Sequence, residues 1–285
     1  MATIIGGLAA SHVPAIGGAM AKGLQRDPYW APFFDGFEAP CRWLEAAKPD
    51  AAVVIYNDHG LNFFLDKMPT FAVGAAPEYR NDDEGWGIPV MAPFKGDTKL
   101  SWHIIETLVE SEFDPVTCQE MLVDHAYSLP MELFLRGRAH DIPTVPVVVN
   151  TVQHPLPSLR RCFKLGQAIG RAIESYPEDL KVVVIGTGGL SHQLEGQRAG
   201  FINTAFDRRC MDAMTGDIES LLGIDPHELV ELAGSQGVEV MNWVAMRGAL
   251  TGDVRELHRN YHLPISNTAS GIMLIENRPK LAQAA

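Results

Sequence analysis

Residues 182–192 read VVVIGTGGLSH, a β-branched run that empties into a Thr-Gly-Gly turn and delivers His192. A short apolar run bounded by glycine reads as a buried strand, and open α/β sheets place their ligands at the carboxyl ends of such strands. The same design occurs twice more. Residues 3–9 (TIIGGLA) empty into Ser11-His12-Val13-Pro14, and residues 51–56 (AAVVIY) empty into Asn57-Asp58-His59-Gly60. Three strand ends that each hand over a histidine predict one site assembled from distant parts of the chain.

Working outward, apolar runs at 70–74, 144–150 and 270–275 predict further strands, and 115–121 predicts an extended segment leading to Val123-Asp124-His125. Helical spacing is read at 16–24, 33–48, 100–112, 129–135, 159–176, 202–215, 227–232 and 237–250. Pro40 is expected to kink or end the first half of 33–48. Strands alternating with helices predict an α/β fold with a central, largely parallel or mixed sheet covered by helices on both faces. One domain, 1–285, is expected. The region after 202 reads as mostly helical before its last strand, and 276–285 as a flexible tail. Residues 75–96 are polar, rich in Gly and Pro, and long for a connection, which makes them a candidate functional loop or partner surface.

Composition narrows the classes. A hydrophobic content of 46% with 20% charged residues is that of an ordinary globular protein. A net charge of -12 argues against a nucleic-acid footprint, which needs clustered Lys and Arg. No apolar run approaches the ~18 residues of a membrane span. The four cysteines, Cys41, Cys118, Cys162 and Cys210, are scattered without a C-x-x-C pair, so they read as reduced packing residues in a cytoplasmic protein.

The candidate site residues are His12, His59, His125, His192 and Glu239. Two imidazoles and one carboxylate on one face of a metal, with positions left open, form the arrangement of non-haem Fe(II) oxygenases. Further histidines near such a metal can move protons. Each residue alone has a bland reading. A histidine after a strand is more often a cap, and a glutamate in a helix's first turn answers to the helix dipole. Asp58 reads equally as a carboxylate supporting His59 or as a solvated turn residue. His103, His140, His154, His227, His258 and His262 lack the strand-end setting and read as structural or exposed.

The ordered set Ser11–Pro14, Asn57-Asp58-His59, Val123-Asp124-His125, residues 186–193 (GTGGLSHQ), residues 243–250 (WVAMRGAL) and Ser266-Asn267-Thr268-Ala269 resembles the class III extradiol ring-cleavage dioxygenases, of the type of the protocatechuate 4,5-dioxygenase beta (catalytic) subunit. No single motif is specific; the order is, and it covers nearly the whole chain. The resemblance implies that His12, His59 and Glu239 bind Fe(II), that His192 is the acid–base histidine, and that His125 is a second pocket histidine near the substrate. It also implies that Ser266 and Asn267 line the end of the pocket that holds a ring carboxylate. The implied activity is extradiol cleavage of a carboxylated catechol by dioxygen, foremost protocatechuate to 4-carboxy-2-hydroxymuconate semialdehyde, with gallate, 3-O-methylgallate or another catechol as alternatives. A zinc-dependent relative and a metal-poor partner-binding relative are the more distant ones. A small alpha subunit in an α2β2 assembly is the implied partner. One departure is Ala126, where the resemblance leads to glycine after the Asp-His pair, and it bears on pocket shape.

Overall fold

A computed structural model describes residues 1–278 of the chain. In chain order the strands are β1 (Thr3–Ala10), β2 (Ala51–Tyr56), β3 (Phe71–Gly74), β4 (Glu78–Tyr79), β5 (Phe94–Lys95), β6 (Val116–Cys118), β7 (Thr144–Val149), β8 (Lys181–Thr187), β9 (Asp253–Ile265) and β10 (Thr268–Arg278). The helices are α1 (Pro14–Ala21), α2 (Ala31–Phe34), α3 (Glu38–Ala47), α4 (Thr98–Glu110), α5 (His125–Leu135), α6 (Leu159–Ser175), α7 (Thr204–Ala213), α8 (Glu219–Leu222), α9 (Pro226–Ala233) and α10 (Val240–Ala249).

Eight strands form one sheet in the order β6-β3-β7-β2-β8-β1-β10-β9. Its centre, β7-β2-β8-β1, is parallel, while β3 on one side and β10 with β9 on the other pair antiparallel. The expected mixed α/β sheet is therefore what forms. Every residue of β2 is buried, because both faces are covered. Val53 and Ile55 pack into one core with α4, α6, α7 and α10. Ala52, Val54 and Tyr56 point the other way, into a second core with α1, α2, α3 and α5. The period of two along a continuous apolar run thus builds two cores from one strand.

The order β2-β8-β1 makes neighbours of the three strands whose carboxyl ends lead to His59, His192 and His12. That adjacency gathers the histidines.

Four local expectations are corrected. Pro40 does not interrupt a helix; it lies in the first turn of α3, where its missing N–H costs nothing, and the break falls earlier, at a 3-10 turn over Asp35–Phe37. Helix α5 begins at His125, four residues before the predicted start, because the Asp124 side chain caps it by accepting from Ala126 N at 2.9 Å. The chain after 250 is not helical but a long hairpin, β9–β10, closed by Ser266-Asn267, both at positive φ (48° and 61°) as a two-residue hairpin turn requires. Strand β10 runs to Arg278, so residues 276–278 belong to the sheet and not to a tail; the expectation for 279–285 lies outside the described residues.

Candidate active site and metal centre

His12 follows β1, and its Nδ1 lies 3.1 Å from Thr187 Oγ1 at the end of the neighbouring β8. With Nδ1–H donating there, Nε2 presents a bare lone pair. That atom is buried and has no hydrogen-bond partner. It faces Glu239 Oε2 at 3.4 Å. His59 donates its backbone N–H and its Nδ1–H to Asp124 Oδ2, each at 2.8 Å. Its Nε2 then lies 3.4 Å from Glu239 Oε1.

Glu239 is delivered by a 3-10 turn (Gly237–Glu239) that runs into α10. Its Oε1 accepts from Asn57 Nδ2 at 3.1 Å, and its Oε2 accepts from Gly189 N at 3.0 Å. Asn57 cannot turn over, because its Oδ1 accepts from Asn242 Nδ2 at 3.1 Å. Gly188 must be glycine: it sits at φ 117°, and a Cβ there would fall 2.6 Å from the Cβ of Glu239.

His192 donates Nδ1–H to Leu190 O at 2.9 Å, which leaves Nε2 facing the carboxylate at 4.0 Å from Glu239 Oε2. His125, at the first position of α5, stacks on His59 with ring centroids 4.4 Å apart. Its backbone N–H and Nδ1–H are both taken by Glu84, at 2.7 and 2.6 Å. The 75–96 segment, expected to be a functional loop or a partner surface, reaches the site: the small β4–β5 sheet pins its base, Glu84 pins its tip, and Trp86 lines the cavity.

Burial pushes the His12 imidazole below its ordinary value, with Glu239 opposing. Burial opposes charge on His59 too, but the Asp124 and Glu239 carboxylates outweigh it and raise that imidazole well above the usual range. Burial would raise both carboxyls; the surrounding imidazoles prevail, holding Asp124 at about 2 and Glu239 well below the ordinary carboxylate range. Both carboxylates stay anionic and hold the imidazoles around them in place, so a cation that displaces the proton from His59 Nε2 meets a pocket of the right sign. His12, His59 and His125 place their ring nitrogens within 4.8 Å of one another.

The cavity measures about 490 Å³ and takes in all four strand-end and helix-start histidines with Glu239. Ser266 also lines it, brought in by the hairpin tip, where Thr268 bridges to His192. Asn267 does not line it and serves the turn. Asp58 does not support His59; it accepts from the backbone N–H groups of Gly60, Asn62 and Phe63 and from Asn62 Nδ2, organising its own loop. The carboxylate behind His59 is Asp124, 65 residues away in sequence. Asn57, Glu84, Asp124, Thr187 and Asn242 are the participants that sequence reasoning gave no role. The signal present was the Asp124-His125 pair, in which the aspartate caps a helix and reaches across to His59.

A buried imidazole–carboxylate pocket at the carboxyl edge of a parallel sheet defines a class of protein whose site is built to receive a metal. Residues 6–271 match the catalytic LigB subunit of aromatic ring-opening dioxygenases, and the chain belongs to that family. It is similar to a gallate dioxygenase of Pseudomonas putida, 40% identical over 203 residues that cover 71% of this chain and 59% of that protein's length. It is also similar to 2,3-dihydroxyphenylpropionate/2,3-dihydroxicinnamic acid 1,2-dioxygenases. The one of Burkholderia vietnamiensis is 28% identical over 73% of this chain and 77% of that protein. The one of Rhodococcus jostii is 27% identical over 85% and 87%. Among the described residues, no helix is long and apolar enough to cross a membrane.

Proposed function

We propose that this chain is an Fe(II)-dependent extradiol dioxygenase that opens the ring of a catechol carrying a carboxylate, with protocatechuate and gallate the first members to compare. The observation that carries the reading is the orphaned, buried Nε2 of His12, aimed at Glu239 beside His59 Nε2 in a cavity that His192 also faces. His12, His59 and Glu239 would hold the ion, which when bound supplies a site where adjacent ring hydroxyls and dioxygen meet and exchange electrons.

The protein's own groups divide the remaining work. His192 Nε2, freed by the Leu190 carbonyl, accepts the proton of a substrate hydroxyl and returns it to the oxygen chemistry. His125, its Nδ1–H held by Glu84, presents Nε2 as an acceptor for hydrogen bonding to the diol. Asn57 and the Gly189 N–H keep Glu239 oriented. In the overall reaction, the bond between one carbon of the diol pair and the ring carbon just outside that pair breaks, and both oxygen atoms enter the product.

Gallate gains weight from the 40% identity to a gallate dioxygenase, and protocatechuate from the order of the motifs. A small alpha subunit is the proposed partner. Trp86 and Leu194, 60% and 55% exposed at the cavity, offer it an apolar rim. Anaerobic loading with Fe(II) or Zn(II), followed by a panel of protocatechuate, gallate, 3-O-methylgallate and 2,3-dihydroxyphenylpropionate, tests the reading. Ring opening of a benzoate substrate by the iron form supports it. Metal bound with every ring left intact, with and without an added alpha subunit, overturns it.

A further inference from the structure

Beyond the four histidines and Glu239, the lining side chains able to donate a hydrogen bond are Trp86, Gln236, Ser266 and Thr268, and among the described residues no Lys or Arg lines the cavity. An anionic ring substituent would thus have to be read by neutral donors. Thr268 is turned back on its own loop, its Oγ1 3.4 Å from Ser266 O. Gln236 is different. Its Oε1 accepts from Leu194 N at 3.1 Å and from Ser235 Oγ at 2.7 Å. Two donors on the oxygen settle which way the amide lies. The NH2 group is left over, and it donates to no protein atom among the described residues.

The same residue is fastened to the catalytic turn. Gln236 O accepts from Glu239 N at 3.2 Å, and Gly237 N donates to His192 O at 3.2 Å. Backbone bonds thus tie position 236 both to the turn that carries Glu239 and to His192, while Leu194 N and Ser235 Oγ hold the amide oxygen.

We propose that Gln236 determines substrate class by donating its amide N–H groups to an acceptor substituent on the ring, a carboxylate; this rests on the dioxygenase reading. A site built to hydrogen-bond a group rejects the analogue that lacks it, because its own donor is then left unmatched. Position 236 would separate ring-carboxylated catechols from plain ones, while Oε1 ties down the loop that carries His192.

The decisive variant is Gln236→Glu. It keeps an acceptor for Leu194 N and Ser235 Oγ but replaces the donor with an anionic oxygen. Binding of protocatechuate and of unsubstituted catechol is measured calorimetrically, without oxygen, on the Fe(II)-loaded chain. The preference for protocatechuate over catechol is expected to fall by tenfold or more, on the order of one to two lost hydrogen bonds to a charged group. Gln236→Met, which has no donor and no charge, should lower it in the same direction by less. Equal weakening of both ligands, with the preference intact, would reduce Gln236 to a strap and overturn the inference while leaving the dioxygenase reading standing. A wild-type chain that binds neither catechol overturns both.

Discussion

Replacing Asp124 with Asn isolates the support of a metal ligand from the fold around it. The carboxylate is fully buried, with Oδ1 capping α5 through Ala126 N and Oδ2 receiving both His59 N and His59 Nδ1. An asparagine can keep Oδ1 as the cap, so the helix start survives. Its NH2 then faces two N–H donors. Leaving them unmatched costs about 1–3 kcal/mol; escaping the clash requires His59 to move its proton to Nε2, the atom that faces Glu239. Either route weakens the site by roughly tenfold to a hundredfold in metal affinity, about 1.4–2.7 kcal/mol. Competition of the anaerobic protein against a coloured chelator measures this directly, and the melting curve of the metal-free protein checks the fold. Unchanged Fe(II) affinity in a folded Asp124→Asn protein would mean that Asp124 does not set the tautomer of His59.

Glu239→Ala should abolish stoichiometric Fe(II) binding, read by metal analysis after gel filtration, whereas His192→Ala should retain the iron and lose about 10²–10⁴ in turnover. Glu84→Ala should release the loop tip over the site, seen as faster limited proteolysis within residues 82–87 together with a raised KM. All four cysteines are free and buried, and burial disfavours the thiolate, pushing Cys41 and Cys118 up to about 11 and Cys162 to about 12. The folded protein should therefore leave Ellman's reagent unreacted at pH 8, and denaturant should release four thiols. Rapid reaction of any of them in the folded state would contradict the packing described.

What could be read from the sequence follows from where the physical signals are local. Residues 51–56 and 182–187 are continuous apolar runs because both faces of those strands are buried, and their ends carry His59 and His192 within three to five residues. Strand β9 stayed hidden because it is an edge strand: residues 253–260 are all partly or fully exposed and include Arg255, Glu256, Arg259 and Asn260, and Arg259 is fixed by Glu256 and Asp212. Asp58 drew attention because it is adjacent to His59 in sequence, yet its side chain turns to its own loop. Asp124, Glu84 and Asn242 reach the site only through tertiary packing, and no spacing rule links residues 41 to 185 positions apart. Gln236 carried no motif at all; what marks it is the pair of donors fixing its oxygen.

The most direct test of the central claim is the stoichiometry of oxygen use by the Fe(II)-loaded chain with its preferred benzoate substrate. One dioxygen should be consumed per ring opened, with both oxygen atoms recovered in the ring-opened product (a yellow semialdehyde when the substrate is protocatechuate) and no hydrogen peroxide. Iron held at one per chain while oxygen is consumed with release of peroxide and an intact ring would contradict it.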